Sequence, residues 1–181
     1  MDKTRTLYTF ILLSLIITSL ILPSSYLIAY SSSFELISYH YKSSAGTDQI
    51  YPGSRNVELV VEVNYTGLDE IYSVTGCINL PSGFTISKGH SSCSAAYDAN
   101  DTVYEVVKPG DIVIFKYYID VLDTTNPGTY TLSIDISYKI VNTTNSYTET
   151  LTGISIKVLS LIHISEPTRP RLISYAVFCL K

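Results

Sequence analysis

Few side chains in this chain have the type and spacing to do chemistry. His40 and His90 stand apart, the latter in the run Lys88-Gly89-His90-Ser91-Ser92. Neither belongs to a Gly-x-Ser-x-Gly or His-Glu-x-x-His pattern, so no nucleophile elbow or zinc-protease helix is present. Asp98, Asn100 and Asp101 open like a calcium loop, but Val103 stands where an EF-hand needs Gly and Pro109 where it needs Glu. The better reading is a turn. Asp120 and Asp123 flank a strand end and are expected to face solvent. The site residues expected from sequence are therefore not catalytic and not metal-binding, and no cofactor is implied.

Two cysteines precede the C-terminal segment, Cys77 and Cys93. In an exported protein such a pair reads most simply as a disulfide. The alternative, a redox or metal pair, lacks both a CxxC spacing and a nearby zinc-type His. The enclosed loop would contribute about 3 kcal/mol by restricting the unfolded chain. It would tie strand 71–80 to the loop-rich segment 88–102. Taking Tyr72, Val74, Ile78 and Leu80 as the apolar frame, Cys77 points the other way, so the bridge is expected near the surface. Asn64-Tyr65-Thr66, Asn100-Asp101-Thr102 and Asn142-Thr143-Thr144 fit the N-glycosylation tripeptide, making Asn64, Asn100 and Asn142 acceptor candidates. Strand parity sets Asn64 on a polar side.

Alternation dominates the region that must position these residues. Val57, Leu59, Val61, Val63 and Tyr65 form one apolar frame; Val113, Phe115, Tyr117, Ile119 and Val121 form a second. Tyr130, Leu132, Ile134, Ile136, Tyr138 and Ile140 form a third, the cleanest period-two signal present. One apolar and one polar face per strand suits antiparallel sheets with a single buried side. Turn chemistry at Pro52-Gly53, Pro81-Ser82-Gly83, Pro109-Gly110-Asp111 and Asn126-Pro127-Gly128 separates the runs. A hairpin is expected at 142–146. In the next strand the apolar frame slips from Tyr147 and Leu151 to Ile154, Ile156 and Val158, which predicts a β-bulge near Gly153. No helical spacing appears after Ser33. Seven or eight strands in residues 34–158 predict an all-β, immunoglobulin-like antiparallel sandwich, with a closed barrel as the alternative. Without Trp, Tyr and Phe must fill the core. The region holds twelve tyrosines, a number that raises a carbohydrate platform as a question; most are expected on buried frames.

Both ends read differently. Lys3 and Arg5 precede an uncharged run, Leu7 to Leu22, broken by Pro23. As a hydrophobic N-terminal helix it would measure about 24 Å, short of a bilayer core of about 30 Å. Ala29 and Ser31 suit a signal peptidase, so residues 1–33 are expected to be a signal peptide, with an uncleaved anchor as the alternative. Either places residues 34–158 outside the cytoplasm. At the other end, Leu159 to Arg169 and Ile173 to Lys181 resemble a translated sequencing-library adapter and primer site, separated by Pro170, Arg171 and Leu172. Residues 159–181, including His163 and Cys179, are then excluded from fold and function, and the natural reading frame is expected to continue beyond Val158.

The chain has 181 residues, 46% hydrophobic and only 15% charged, with net charge −4. That argues against a coiled coil, a disordered polyelectrolyte and a nucleic-acid binder. In residues 34–158 acidic side chains outnumber basic ones two to one, so the surface favours no anionic partner.

Three segments carry a family resemblance. They are Tyr51-Pro52-Gly53-Ser54 leading into 57–67, then Leu80-Pro81-Ser82-Gly83-Phe84, then Lys108-Pro109-Gly110-Asp111 with Pro127-Gly128-Thr129-Tyr130-Thr131-Leu132. Residues 51–158 thereby resemble the archaeal S-layer-associated, CARDB-like family of immunoglobulin-type exported domains. The resemblance implies a non-catalytic surface or adhesive module. Its expected partners are other envelope proteins or copies of itself, with glycans also in view and the membrane met only through an uncleaved N-terminal segment. Two other functions compete with it. One is a carbohydrate- or ligand-binding accessory domain, which a concave patch of outward tyrosines would favour. The other is an exported enzyme whose catalytic half lies beyond Val158.

Overall fold

A computed structural model describes residues 32–160. The expected leader helix and nearly all of the adapter-like segment lie outside the described residues. Nine strands run in chain order: β1 (Phe34–Lys42), β2 (Val57–Tyr65), β3 (Ile71–Asn79), β4 (Phe84–Ile86), β5 (Cys93–Ala95), β6 (Val106–Val107), β7 (Ile112–Val121), β8 (Gly128–Ile140) and β9 (Ser146–Val158). The described residues contain no helix. Two antiparallel sheets form, one in the order β1-β2-β7-β4 and the other β5-β3-β8-β9, with β6 also pairing β3. The seven or eight strands expected become nine because two short pieces, β5 and β6, form between β4 and β7.

Alternation explains most of this. Every second residue of β2, from Val57 to Tyr65, is buried, and so is every second residue of β7 from Val113 to Val121. In β8, Leu132, Ile134, Ile136 and Tyr138 are buried, while Tyr130 and Ile140 at its ends are half-buried. These inward residues from both sheets form one continuous apolar cluster. Its largest fully buried side chains are Tyr117 and Phe115, which take the volume a Trp would fill. They press on Gly76 of the opposite sheet, where an added Cβ would lie 2.8 Å from the Tyr117 oxygen and 2.9 Å from the Phe115 ring. The Tyr117 hydroxyl donates to the Gly76 carbonyl at 2.9 Å, so this buried polar group is satisfied.

The two long edge strands touch. The Ser33 N–H donates to the Glu149 carboxylate of β9 at 2.7 Å, and Tyr39 of β1 shares a 2.9 Å hydrogen bond with Ser155. Glu149 is partly buried, which opposes its charge, yet hydrogen bonds from Tyr138, Ser33 and Ser32 hold it below the ordinary carboxylate range. The slip in β9 is present as expected. Leu132 pairs Ile154 while Ile134 pairs Leu151, so two residues oppose one, and Gly153 sits at φ 95°.

One frame differs from the sequence reading. Ser73 adopts φ 53°, and the β3–β8 register shifts between Tyr72 and Thr75. This bulge sets Ile71 inward in place of Tyr72, which is left half-exposed. The frame after the bulge (Val74, Gly76, Ile78) is unaffected, and Cys77 stays on the outer side.

Candidate functional site

β7 builds the floor of the site. Because Phe115 and Tyr117 point into the core, Lys116 and Tyr118 must project from the outer face. Two segments stand over them. The first is β5 and the chain after it, which leaves one sheet and joins the other. Buried Ser94 accepts the Lys116 N–H at 3.0 Å, and Tyr97 exchanges two backbone hydrogen bonds with Ile114. Asp98 then closes a turn, its carboxylate accepting the N–H groups of Thr102 at 2.7 Å and Asn100 at 2.9 Å. The Thr102 bond is the main cause that holds Asp98 below its usual range. The turn presents Asp101, itself at φ 65°, to Lys116.

The second segment is the loop 87–93. Its start is held by the Ser87 N–H donating to the Tyr118 carbonyl at 2.9 Å, with His90 N–H turning back to Ser87 at 3.1 Å. The Ser87 hydroxyl donates to Asp120. Its end is held by the disulfide between Cys77 and Cys93, whose Cα atoms lie directly opposite at 4.0 Å.

Between these segments lies an open cavity of about 320 Å³, lined by His90, Ser91, Cys93, Tyr97, Asp101, Lys116 and Tyr118. The His90 and Tyr118 rings lie 4.2 Å apart between centroids. The Tyr118 hydroxyl donates to Glu58 at 3.0 Å, and that bond is the leading reason its proton is held more tightly than usual. Lys116 Nζ bonds Asp101 and lies 5.6 Å from the centroid of the Tyr97 ring, in cation–π range. The Asp101 bond is the largest cause raising the Lys116 pKa, so its ammonium is charged throughout the neutral range. A second cavity, about 400 Å³, sits over the Gly153 bulge and is lined by Asn79, Leu80, Pro81, Thr131, Leu132, Ser133, Thr152 and Gly153. It offers neither an aromatic ring nor a charged group.

The sequence-predicted residues fall in different places. Cys77 and Cys93 are bridged, with Cys77 half-buried and Cys93 exposed, near the surface as expected. Asn100 and Asn142 occupy exposed turns, Asn142 at the tip of the β8–β9 hairpin with φ 66°. Asn64 is half-buried within β2, flanked by Glu35 and Ile112. His40 is exposed on β1, far from any metal-type grouping; among the described residues no three His, Cys, Asp or Glu side chains converge on one point.

One expectation needs correcting. Asp120 is not a solvent-facing carboxylate. Its side chain is 16% exposed against 78% for Asp123. Burial opposes its charge, but the Asn56 N–H, the Ser87 hydroxyl and Arg55 together hold it below the ordinary range. It ties three segments together. Most tyrosines follow the buried frames as expected: Tyr65, Tyr117 and Tyr138 are buried, and Tyr39, Tyr41, Tyr104, Tyr130 and Tyr147 are half-buried against the core. Tyr97 and Tyr118 are the two that meet in a concavity. Reading for motifs missed this cluster because it has no sequence spacing of its own. One signal was present: Tyr118 is an aromatic side chain on the polar frame of β7.

No family model matches the chain, and neither does any curated protein. Among solved structures the chain is similar to the C-terminal domain of wzt, with 16% identity and a TM-score of 0.41, over 72% of this chain and 74% of that one. A likeness that loose bears on neither ligand nor activity.

Proposed function

We propose that this chain is an exported, non-catalytic module of the cell envelope, built as an immunoglobulin-like β-sandwich, that binds saccharide through the cavity on β7. The observation carrying the reading is the company of side chains in one concavity: two outward tyrosines, a histidine ring and an ion pair. Sugars present C–H faces and hydroxyl edges, and such a lining offers an apolar surface beside charged hydrogen-bonding groups. A volume of about 320 Å³ suits one or two sugar rings, at the small end of ligand sites.

Several features support the export half. A disulfide persists in oxidising compartments, and the N-terminal run Leu7 to Leu22 has the composition of a secretory leader. The resemblance to the S-layer-associated, CARDB-like domains fits the same setting. Asn100 and Asn142, on exposed turns, are the better glycan acceptors; Asn64, half-buried in a paired strand, is the poorest.

The test is a glycan array probed with the secreted full chain, where multivalent display compensates for weak single-site affinity. Discrete binding to a subset of saccharides, lost in Tyr118→Ala, is the expected result. A flat array with wild-type protein would retire the saccharide reading and return the module to purely protein-mediated contacts.

A further inference from the structure

The saccharide reading leaves the class of sugar open, and the charges around the cavity narrow it. Lys116 is the only cation in the lining. It is already paired with Asp101, and a second carboxylate, Glu58, sits on the Tyr118 hydroxyl. An acidic sugar's carboxylate could reach Lys116 only by lying beside the Asp101 carboxylate, with Glu58 as a second like charge nearby, which costs affinity. A neutral sugar faces no such cost.

The ion pair has unused capacity. Lys116 carries three N–H donors and commits one to Asp101; the Asp101 carboxylate has a second oxygen beyond the one that accepts it. Both groups reach solvent, their side chains being 30% and 65% exposed. The pair thus presents adjacent donors and acceptors at the mouth of an aromatic-walled cavity. Two neighbouring hydroxyls on a pyranose ring are the complementary partner, because each hydroxyl donates once and accepts as well. One O–H can donate to Asp101 while the next oxygen accepts from Lys116, and the ion pair is bridged without being broken. The ring's C–H face then lies against the aromatic walls.

Resting on the saccharide reading, we infer that the cavity takes a neutral pyranose by its vicinal diol, bridging Lys116 and Asp101, and rejects uronic acids. The experiment is a heteronuclear NMR titration of the full chain with methyl glycosides of mannose, galactose and glucose, and with glucuronate and galacturonate. A neutral glycoside is expected to shift the amides of residues 97–101 and 116–118, with the uronates binding about tenfold more weakly. Asp101→Asn is expected to reverse that order, because it leaves Lys116 as an unpaired cation; Asp101 is exposed, so the fold should tolerate the change. Uronates binding as well as or better than the neutral glycosides to wild-type protein would overturn the inference while leaving the saccharide reading intact. If no sugar of either kind shifts any amide, both fall together.

Discussion

The outer faces of the two sheets are both polar, yet they are built in opposite ways. On the central face of β3, β8 and β9 short polar side chains satisfy one another. Asn79 donates to Asp135 at 2.8 Å, Thr150 donates to the same carboxylate at 2.7 Å, and Ser137 pairs with Thr148 at 3.0 Å. The result is a surface whose hydrogen-bonding capacity is largely spent, and its one described cavity, over the Gly153 bulge, has neither an aromatic ring nor a charged group in its lining. On the β7 face the side chains are long, they include aromatic rings, and two loop segments overhang them. Reach and overhang, not polarity, make a site. The Cys77–Cys93 bridge is what keeps one overhang in place.

The largest expected effect comes from removing that bridge. Cys93→Ser should lower stability by about 3 kcal/mol in denaturant melts, and should abolish saccharide binding. If binding survives, loop 87–93 is held in place by its backbone hydrogen bonds (Ser87 to Tyr118, Ile78 to Ser92) without the bridge, and the contrast between the faces loses its cause. Next is Gly76→Ala, which touches neither outer face. A Cβ against Tyr117 and Phe115 should cost about 1–3 kcal/mol by overpacking. It should leave the sugar titration unchanged once the protein is folded, so a lost titration would mean that the site depends on core packing.

Asp120 and Asp135 provide the sharper pair. Asp120 links three segments at the end of the β7 face, whereas Asp135 is a surface carboxylate held below its usual range first by Asn79 and then by Thr150. Asp120→Asn should cost about 1–2 kcal/mol at neutral pH, and Asp135→Asn less than about 1 kcal/mol. Both folded-state pKa values lie below the unfolded ones. Their stabilisation is therefore fully present above the unfolded carboxylate pKa and is lost as pH falls through the lower, folded values. In melts from pH 6 down to the acid limit, wild type should lose stability as each variant's deficit shrinks. A deficit that stays constant would show that the lost contribution is packing and not charge. Smallest is Thr148→Ala, on the self-satisfied face. It should change stability by no more than about 0.5 kcal/mol and leave binding untouched.

Legibility from sequence divided along similar lines. Strands β2, β7 and β8 were readable because each buries one face along an unbroken run, and period two is then imposed on the residue types. The slip at Gly153 was readable because it displaced three apolar residues at once. The bulge at Ser73 was not: a single serine at φ 53° leaves no compositional trace, and Tyr72 is amphipathic enough to sit on either side. Asp120 looked like any carboxylate at a strand end because its partners, Asn56 and Ser87, lie on other segments.

What the residue order determined by itself was local: which positions alternate, where Pro and Gly turn the chain, and that Cys77 lies on an outer frame. Those properties depend on neighbours one or two places away. Bringing His90, Tyr97, Asp101, Lys116 and Tyr118 around one cavity was decided only by tertiary structure. That gathering required the chain after β5 to leave one sheet and lash its turn to the other, which depends on pairing between residues far apart in the chain.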